Sequence, residues 1–271
     1  MLIALIITLS FTVFSLKTVE IDYRTSRTAL MQVEDDDIIS AGEFKLGSPV
    51  LFHSKKEYKE KIEGLNPYIK VINIETVFPD KFVVHICERQ EVYAVEYDGG
   101  HYICDEDLRV LKVDEEYTSN NSNPILLNFE NEFDKTYQAG DYIEEENPEI
   151  YHSLFSLNRP LAQQQELIES ISLSSQHDDN INQDVKVAAV KFFSGQTVKI
   201  VNYVYGLDAK VKMMMDVYTQ LFNFKDKEIT LKDGSEHTLT IDDLQTCTIY
   251  INNYYDYSQY DEKDCYFDII I

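Results

Sequence analysis

The chain has 271 residues, with 48 Asp or Glu against 24 Lys or Arg and a net charge of −24. Nucleic-acid binding needs cations to replace phosphate counterions, and the basic residues form no long cluster, so that class is set aside; anionic lipid headgroups would also repel such a surface. A composition of 44% hydrophobic and 27% charged residues is that of a folded protein, long enough for one large domain or two ordinary ones. The acidic excess serves solubility, or steering towards a basic partner.

Leu2 to Leu16 read LIALIITLSFTVFSL, without a charge, and Lys17 ends the run. The run is shorter than the roughly 20 residues of a full membrane span. A signal peptide would show a basic n-region and a small-x-small cleavage site, but only Met1 precedes the run and FSLKT follows it. A core helix would show a polar face, and there is none. Residues 1–16 are therefore expected to be a membrane anchor. With no cation before the run, the positive-inside rule assigns no orientation.

Thr18 to Tyr23 reads as a strand with Val19, Ile21 and Tyr23 on one face. Glu34 to Asp37 precedes Ile38 and Ile39. The three Asp suit the solvated start of a short helix, where negative charge meets the dipole, better than a metal site. Ser54 and Glu57 have capping-box spacing, and Tyr58, Ile62 and Leu65 recur at helical spacing. Lys56 with Glu60 and Glu57 with Lys61 are i,i+4 pairs, and Gly64 suits a left-handed helix end. Strands follow at Tyr68 to Thr76 and Lys81 to Glu88, with Phe82, Val84 and Ile86 on one face and Pro79 in the turn between them. His85 falls on the opposite, surface or interface, face. The order β-α-α-β-β predicts two helices on one face of a three-stranded sheet.

Pro67, Tyr68, Ile69, Ile72, Ile74, Pro79, Phe82, Val84, Ile86, Glu88, Arg89, Val92 and Ala94 hold one spacing over about 30 residues. This register resembles the diagnostic segment of the POTRA domain in the FtsQ/DivIB bacterial cell-division proteins, and LGSPVLF at 46–52 resembles that family's turn before the second helix. One departure is Glu91, where the family usually has Pro after E-R-x; this could loosen the junction between the two domains.

Beyond residue 90, strands are expected at Val92 to Tyr97, His101 to Cys104 and Arg109 to Val113, with Asp98-Gly99-Gly100 as a hairpin turn. A short apolar segment lies at Ile125 to Phe129. Asn147-Pro148 opens a helix carrying Ile150, Leu154 and Leu157, and a second short helix covers Leu161 to Ile168. Gln176 to Asp184 reads as a loop. Val185 to Phe192 and Thr197 to Tyr203 form a hairpin about Ser194-Gly195. Leu207, Val211, Met214, Tyr218 and Leu221 mark an amphipathic helix capped at Asp208, its methionines read as core filler. Glu228 to Lys232, Thr238 to Ile241, Thr246 to Asn252 and Tyr266 to Ile270 read as strands.

Catalytic motifs are absent from the sequence: no phosphate-binding glycine loop, nucleophile elbow or H-E-x-x-H. His101, Cys104 and Asp105 lie close in sequence but suit an ordinary hairpin edge. Cys87, Cys104, Cys247 and Cys265 lack C-x-x-C spacing; buried thiols are favoured over disulfides, because a chain this long needs no staples.

The fold class expected is α+β: an N-terminal membrane helix (1–16), a small β-α-α-β-β POTRA module (17–90), a larger mostly antiparallel β-domain with flanking helices (91–255), and a tail or extra strand (256–271). The order of the second part is similar to the β-domain that succeeds POTRA in the family. The resemblance implies a type II membrane protein at the division septum. It implies a scaffold without catalytic residues, cofactor or metal, which binds small bitopic partners of the FtsB/DivIC and FtsL type and acts through them on septal cell-wall synthesis. Strand addition at a sheet edge is the expected mode. Thr248, Tyr250, Asn252 and Tyr254 share one face of the segment TCTIYINNYY and are the partner-binding candidates. The tail, ending in FDIII, would hide that edge if it added a strand. Two other readings stay open: an anchored extracytoplasmic cell-wall enzyme, which needs a clustered site beyond residue 91, and a POTRA-containing secretion or assembly factor, which needs further POTRA copies.

Overall fold

The computed structural model describes residues 13–271 apart from 26–27, 29–30, 98–99, 118–123, 131–132, 134, 144–156, 158–166, 179–182, 232–233, 254–264 and 271. It divides into two units: one reaching to Gln90 and including Arg109–Leu111 and Gln138–Asp141, the other holding the rest.

In the first unit, alternation decides the sheet. β1 (Thr18–Tyr23), β2 (Ile69–Val77) and β3 (Lys81–Glu88) lie in the order β1-β3-β2, with β1 parallel and β2 antiparallel to the central strand. Phe82, Val84 and Ile86 are wholly buried, and Val19, Ile21 and Tyr23 pack against the same core. Helices α1 (Asp35–Gly42) and α2 (Lys55–Leu65) bring Ile38, Tyr58 and Ile62 to it, giving the expected β-α-α-β-β order. Burying such side chains contributes roughly 1.5–3 kcal/mol each.

The helix signals hold in part. Ser54 Oγ accepts from the Glu57 amide at 3.3 Å, while the Glu57 carboxylate turns to Lys61 at 2.9 Å. Lys56 pairs with Glu60 at 3.6 Å. Asp35, Asp36 and Asp37 occupy the first turn of α1. Gly64 stays helical: α2 ends in extended backbone at Asn66, and the left-handed residue is Glu43 at the end of α1, with φ 48°.

The chain joins this unit through main-chain pairing. Val50 N donates to Phe14 O at 2.9 Å, Leu16 N to Ser48 O at 2.9 Å, and Gly47 N to Leu16 O at 2.8 Å. Leu16 is fully buried in the core, so the end of the apolar run belongs to the folded unit. Residues 1–12, most of the expected anchor, lie outside the described residues. Among the described residues no helix is long and apolar enough to cross a membrane.

Among the described residues the second sheet has nine strands, in the order β14-β13-β10-β9-β8-β7-β4-β5-β6. These are β4 (Tyr93–Tyr97), β5 (Gly100–Cys104), β6 (Val110–Asp114), β7 (Ile125–Phe129), β8 (Ile168–Asp178), β9 (Gln183–Phe192), β10 (Thr197–Val201), β13 (Thr248–Asn253) and β14 (Cys265–Ile270). A separate small hairpin joins β11 (Glu228–Thr230) and β12 (Glu236–Thr238). The large sheet is mixed: β4/β7, β7/β8 and β10/β13 are parallel, whereas β4/β5, β8/β9, β9/β10 and β13/β14 are antiparallel. Helix α3 (Leu207–Gln220) buries Leu207, Val211, Met214 and Val217, so the central Met fills core as expected. Its cap is Gly206 at φ 59°, and Asp208 lies in the first turn instead. Lys210 is wholly buried, and its Nζ donates to the Val201 and Asn202 carbonyls at 2.8 and 2.7 Å, satisfying the end of β10.

Two expectations fail for physical reasons. Ile168 opens β8, not the end of a helix, and β8 runs through His177 into the span read as loop. Its serines mask the alternation of Ile171 and Leu173, which pair with Val190 and Ala188 of β9. Thr238 to Ile241 does not form one strand. Thr240 and Asp243 cap α4 (Ile241–Thr246) reciprocally, and that local pairing overrides β-branched propensity. The helix opened by Asn147-Pro148 and most of the Leu161 to Ile168 segment lie outside the described residues.

Candidate functional site at the end of the large sheet

The last strands of the large sheet carry the residues singled out in the sequence. Ile249 and Ile251 of β13 are fully buried, and Thr248, Tyr250 and Asn252 alternate to the other face, half-buried. Tyr250 packs against Val185, Val187 and Val201, with Lys199 Nζ 5.3 Å from its ring centroid. Lys199 and Tyr250 are register partners, so the cation and ring share a face. Three of the four candidates are thus together; Tyr254 lies outside the described residues.

Strand β13 is not an edge. It pairs with β10 on one side (Thr248 opposite Thr197, Ile251 opposite Ile200) and with β14 on the other (Thr248 opposite Ile270, Asn253 opposite Cys265). The apolar tail adds the extra strand and occupies the ladder groups expected to be open. Among the described residues the outermost strand at this end is β14. At the opposite end, Val110 N donates to Asp141 O and Gly140 N to Val110 O, each at 2.8 Å, so the start of β6 is already covered by a turn.

The platform is held by groups that motif reading missed. Buried Gln196 donates through Nε2 to Leu244 O at 2.9 Å, and Thr197 N donates to Cys247 O at 3.1 Å, tying the β9–β10 turn to the start of β13. Gly195 sits at φ 106°, and a Cβ there would fall 2.5 Å from Gln245 O, so only glycine permits the approach. Cys247 donates weakly to Leu244 O at 3.5 Å, and burial pushes its thiol pKa up, which makes it an inert core thiol.

The remaining sequence candidates take structural places. Asp105 is buried and accepts from the Asp107 amide at 2.9 Å. Cys104 is buried, and His101 packs on Tyr117. His85, on the face opposite Phe82, is nearly buried between Asp22 at 2.6 Å and Glu75 at 3.1 Å. Glu91, where the resembled family usually has Pro, pairs with Lys112 at 2.9 Å. Among the described residues no three His, Cys, Asp or Glu converge as a metal site.

The first unit supplies the family evidence. Glu88 accepts from the Thr28 amide at 2.8 Å and from the Thr28 hydroxyl, and Arg89 donates to Ile69 O at 3.2 Å and reaches buried Glu63 at 3.2 Å. The E-R pair of the sequence motif thus fastens the ends of the module. Residues 14–89 match the POTRA domain of FtsQ type. The chain is 29% identical over 148 residues to the cell division protein DivIB of Clostridium tetani (strain Massachusetts / E88), a match covering 54% of this chain and 52% of that relative. Thus the match spans about half the length of each protein. With residues 14–89 matched to a POTRA domain of FtsQ type and a DivIB protein aligned over about half of the chain, the protein is similar to the FtsQ/DivIB cell-division proteins.

Proposed function

We propose that the protein is a division-complex scaffold, held in the membrane by its N-terminal apolar run with its bulk outside the membrane at the septum. It binds small bitopic partners of the FtsB/DivIC and FtsL type and links them to septal cell-wall synthesis. The observation that carries this reading is the edge formed by β14, the outermost described strand at its end of the large sheet. Outward N–H and C=O groups on such a strand can take an extended partner segment, with half-exposed Tyr250 and its neighbours on the adjoining face. The acidic surface favours approach of a basic segment.

The test is capture from membranes with the full chain as bait, beside a variant ending at residue 264 and a Tyr250→Lys variant, with captured proteins identified by mass spectrometry. Small single-pass coiled-coil division proteins should bind the full chain and be lost with β14. Capture undiminished or increased by the truncation would move the pairing strand to β13, with β14 as its placeholder. Absence of every division protein from the full-chain capture would overturn the scaffold reading.

A further inference from the structure

The net charge of the chain is unevenly divided. Residues 1–90 hold 11 Lys or Arg and 13 Asp or Glu, whereas residues 91–271 hold 13 and 35. A bilayer with anionic headgroups therefore repels the second unit strongly and the first hardly at all. The first unit also carries large apolar side chains in solvent where the chain joins it. Leu51 is 73% exposed, Phe52 79%, Leu46 62% and Phe78 59%.

These positions come from separate segments brought together by backbone pairing. Phe14 and Phe78 meet edge to face with centroids 6.2 Å apart. The bond from Val50 N to Phe14 O sets Leu51 and Phe52 beside the same segment, and Lys17 N donates to Asp80 O at 2.7 Å, fixing the turn that carries Phe78. Exposed Lys45, Lys55 and Lys56 adjoin Leu46 and Phe52 in the chain. Exposed apolar groups gathered in one place mark a binding surface, and aromatic tips with lysines beside them suit the headgroup boundary of a bilayer.

The occupant is given by continuity. The uncharged stretch of residues 2–12 runs into Val13 and Phe14 with no polar linker, and Phe14 is itself part of the rim. We propose that Phe14, Leu46, Leu51, Phe52 and Phe78 form a lipid-contacting rim by which the POTRA unit lies against the membrane surface. This rests on the anchoring proposed above. It adds a second membrane contact, made by the folded domain.

The chain contains no Trp, so one introduced indole reports its own surroundings. Phe52→Trp and Phe78→Trp variants of the full chain are placed in vesicles of phosphatidylethanolamine and phosphatidylglycerol (three to one) carrying shallowly brominated acyl chains. Phe222→Trp, at a position 51% exposed in the second unit, is the reference. Blue-shifted emission and bromine quenching at both rim positions, with water-like unquenched emission at the reference, is the expected result. Carbonate extraction of the same vesicles reads the anchor separately. A chain that resists extraction while its rim indoles stay water-like keeps the anchor and overturns the rim. Quenched rim indoles on a chain that carbonate removes support the rim and overturn the anchor. No association with vesicles overturns both. A blue shift in detergent that grows with protein concentration would assign the rim to a second copy of the chain instead of lipid.

Discussion

Glu63 belongs to α2, yet its carboxylate faces inward and accepts from the Val71 amide at 2.8 Å. Arg89 and Arg109 approach its two oxygens at 3.2 and 3.3 Å, and Arg109 also donates to Glu63 O at 2.8 Å. All three side chains are more than nine-tenths buried. Removing the shared Glu63 carboxylate leaves two guanidinium charges without their counter-charge in a poorly solvated place, which costs about 3–5 kcal/mol. Glu63→Ala should therefore lower the unfolding free energy by an amount of that order, read as a lower urea midpoint with an unchanged denaturant slope. A loss below about 1 kcal/mol, the scale of a surface pair, would mean that water reaches the group. Arg89 was legible through its place in the family segment. Glu63 was not, because periodicity registers apolar positions, and a buried carboxylate on a helix looks in sequence like its exposed neighbours.

At the scale of elements, α4 shows how a local polar pairing overrides propensity. Asp243 accepts from Thr240 N at 2.8 Å and from Thr240 Oγ1 at 2.7 Å, while Thr240 Oγ1 accepts from Asp243 N at 3.2 Å. The Thr240 hydroxyl bond, then the His237 bond, hold the Asp243 carboxyl down to about 2. The folded value lies below the ordinary carboxylate value of about 3.9, so the cap's contribution is complete above that value and is lost as pH falls towards about 2. Carbon-detected NMR titration should place the Asp243 midpoint near about 2, and Thr240→Val should move it up. A midpoint in the ordinary range in the parent chain would mean that the cap adds no acid-sensitive stability. The Thr-x-x-Asp spacing was open to reading, but the β-branched run beside it gave the stronger apparent signal. Strand β8 was missed for a related reason: its serines weaken alternation, and only pairing with β9 shows which face is buried.

For the whole molecule, the uneven charge sets the response to salt. The 35 acidic against 13 basic residues beyond residue 90 repel one another in any compact state. Raising NaCl from about 0.1 M to about 1 M shortens the screening length from about 10 Å to about 3 Å. The thermal midpoint of the detergent-solubilised chain should rise over that range. A flat or falling midpoint would mean that short-range pairs such as Lys191–Glu169, at 2.9 Å, already neutralise the surface locally.

Apolar periodicity alone specifies the POTRA module, since its strands and helices each bury one face and the spacing of Val19, Phe82, Val84, Ile62 and Tyr58 writes those faces directly. It also specifies the early hairpins and helix α3, where apolar period and turn glycines agree. Which strands lie at an edge is set by the folded chain alone. Edge position depends on pairings between distant segments, and β13 and β14 have similar apolar runs whether or not another strand lies beyond them. Likewise, exposed Leu51 and Phe52 read like core residues in sequence; their apolar rim exists because backbone bonds from Phe14 and Lys17 bring separate turns together.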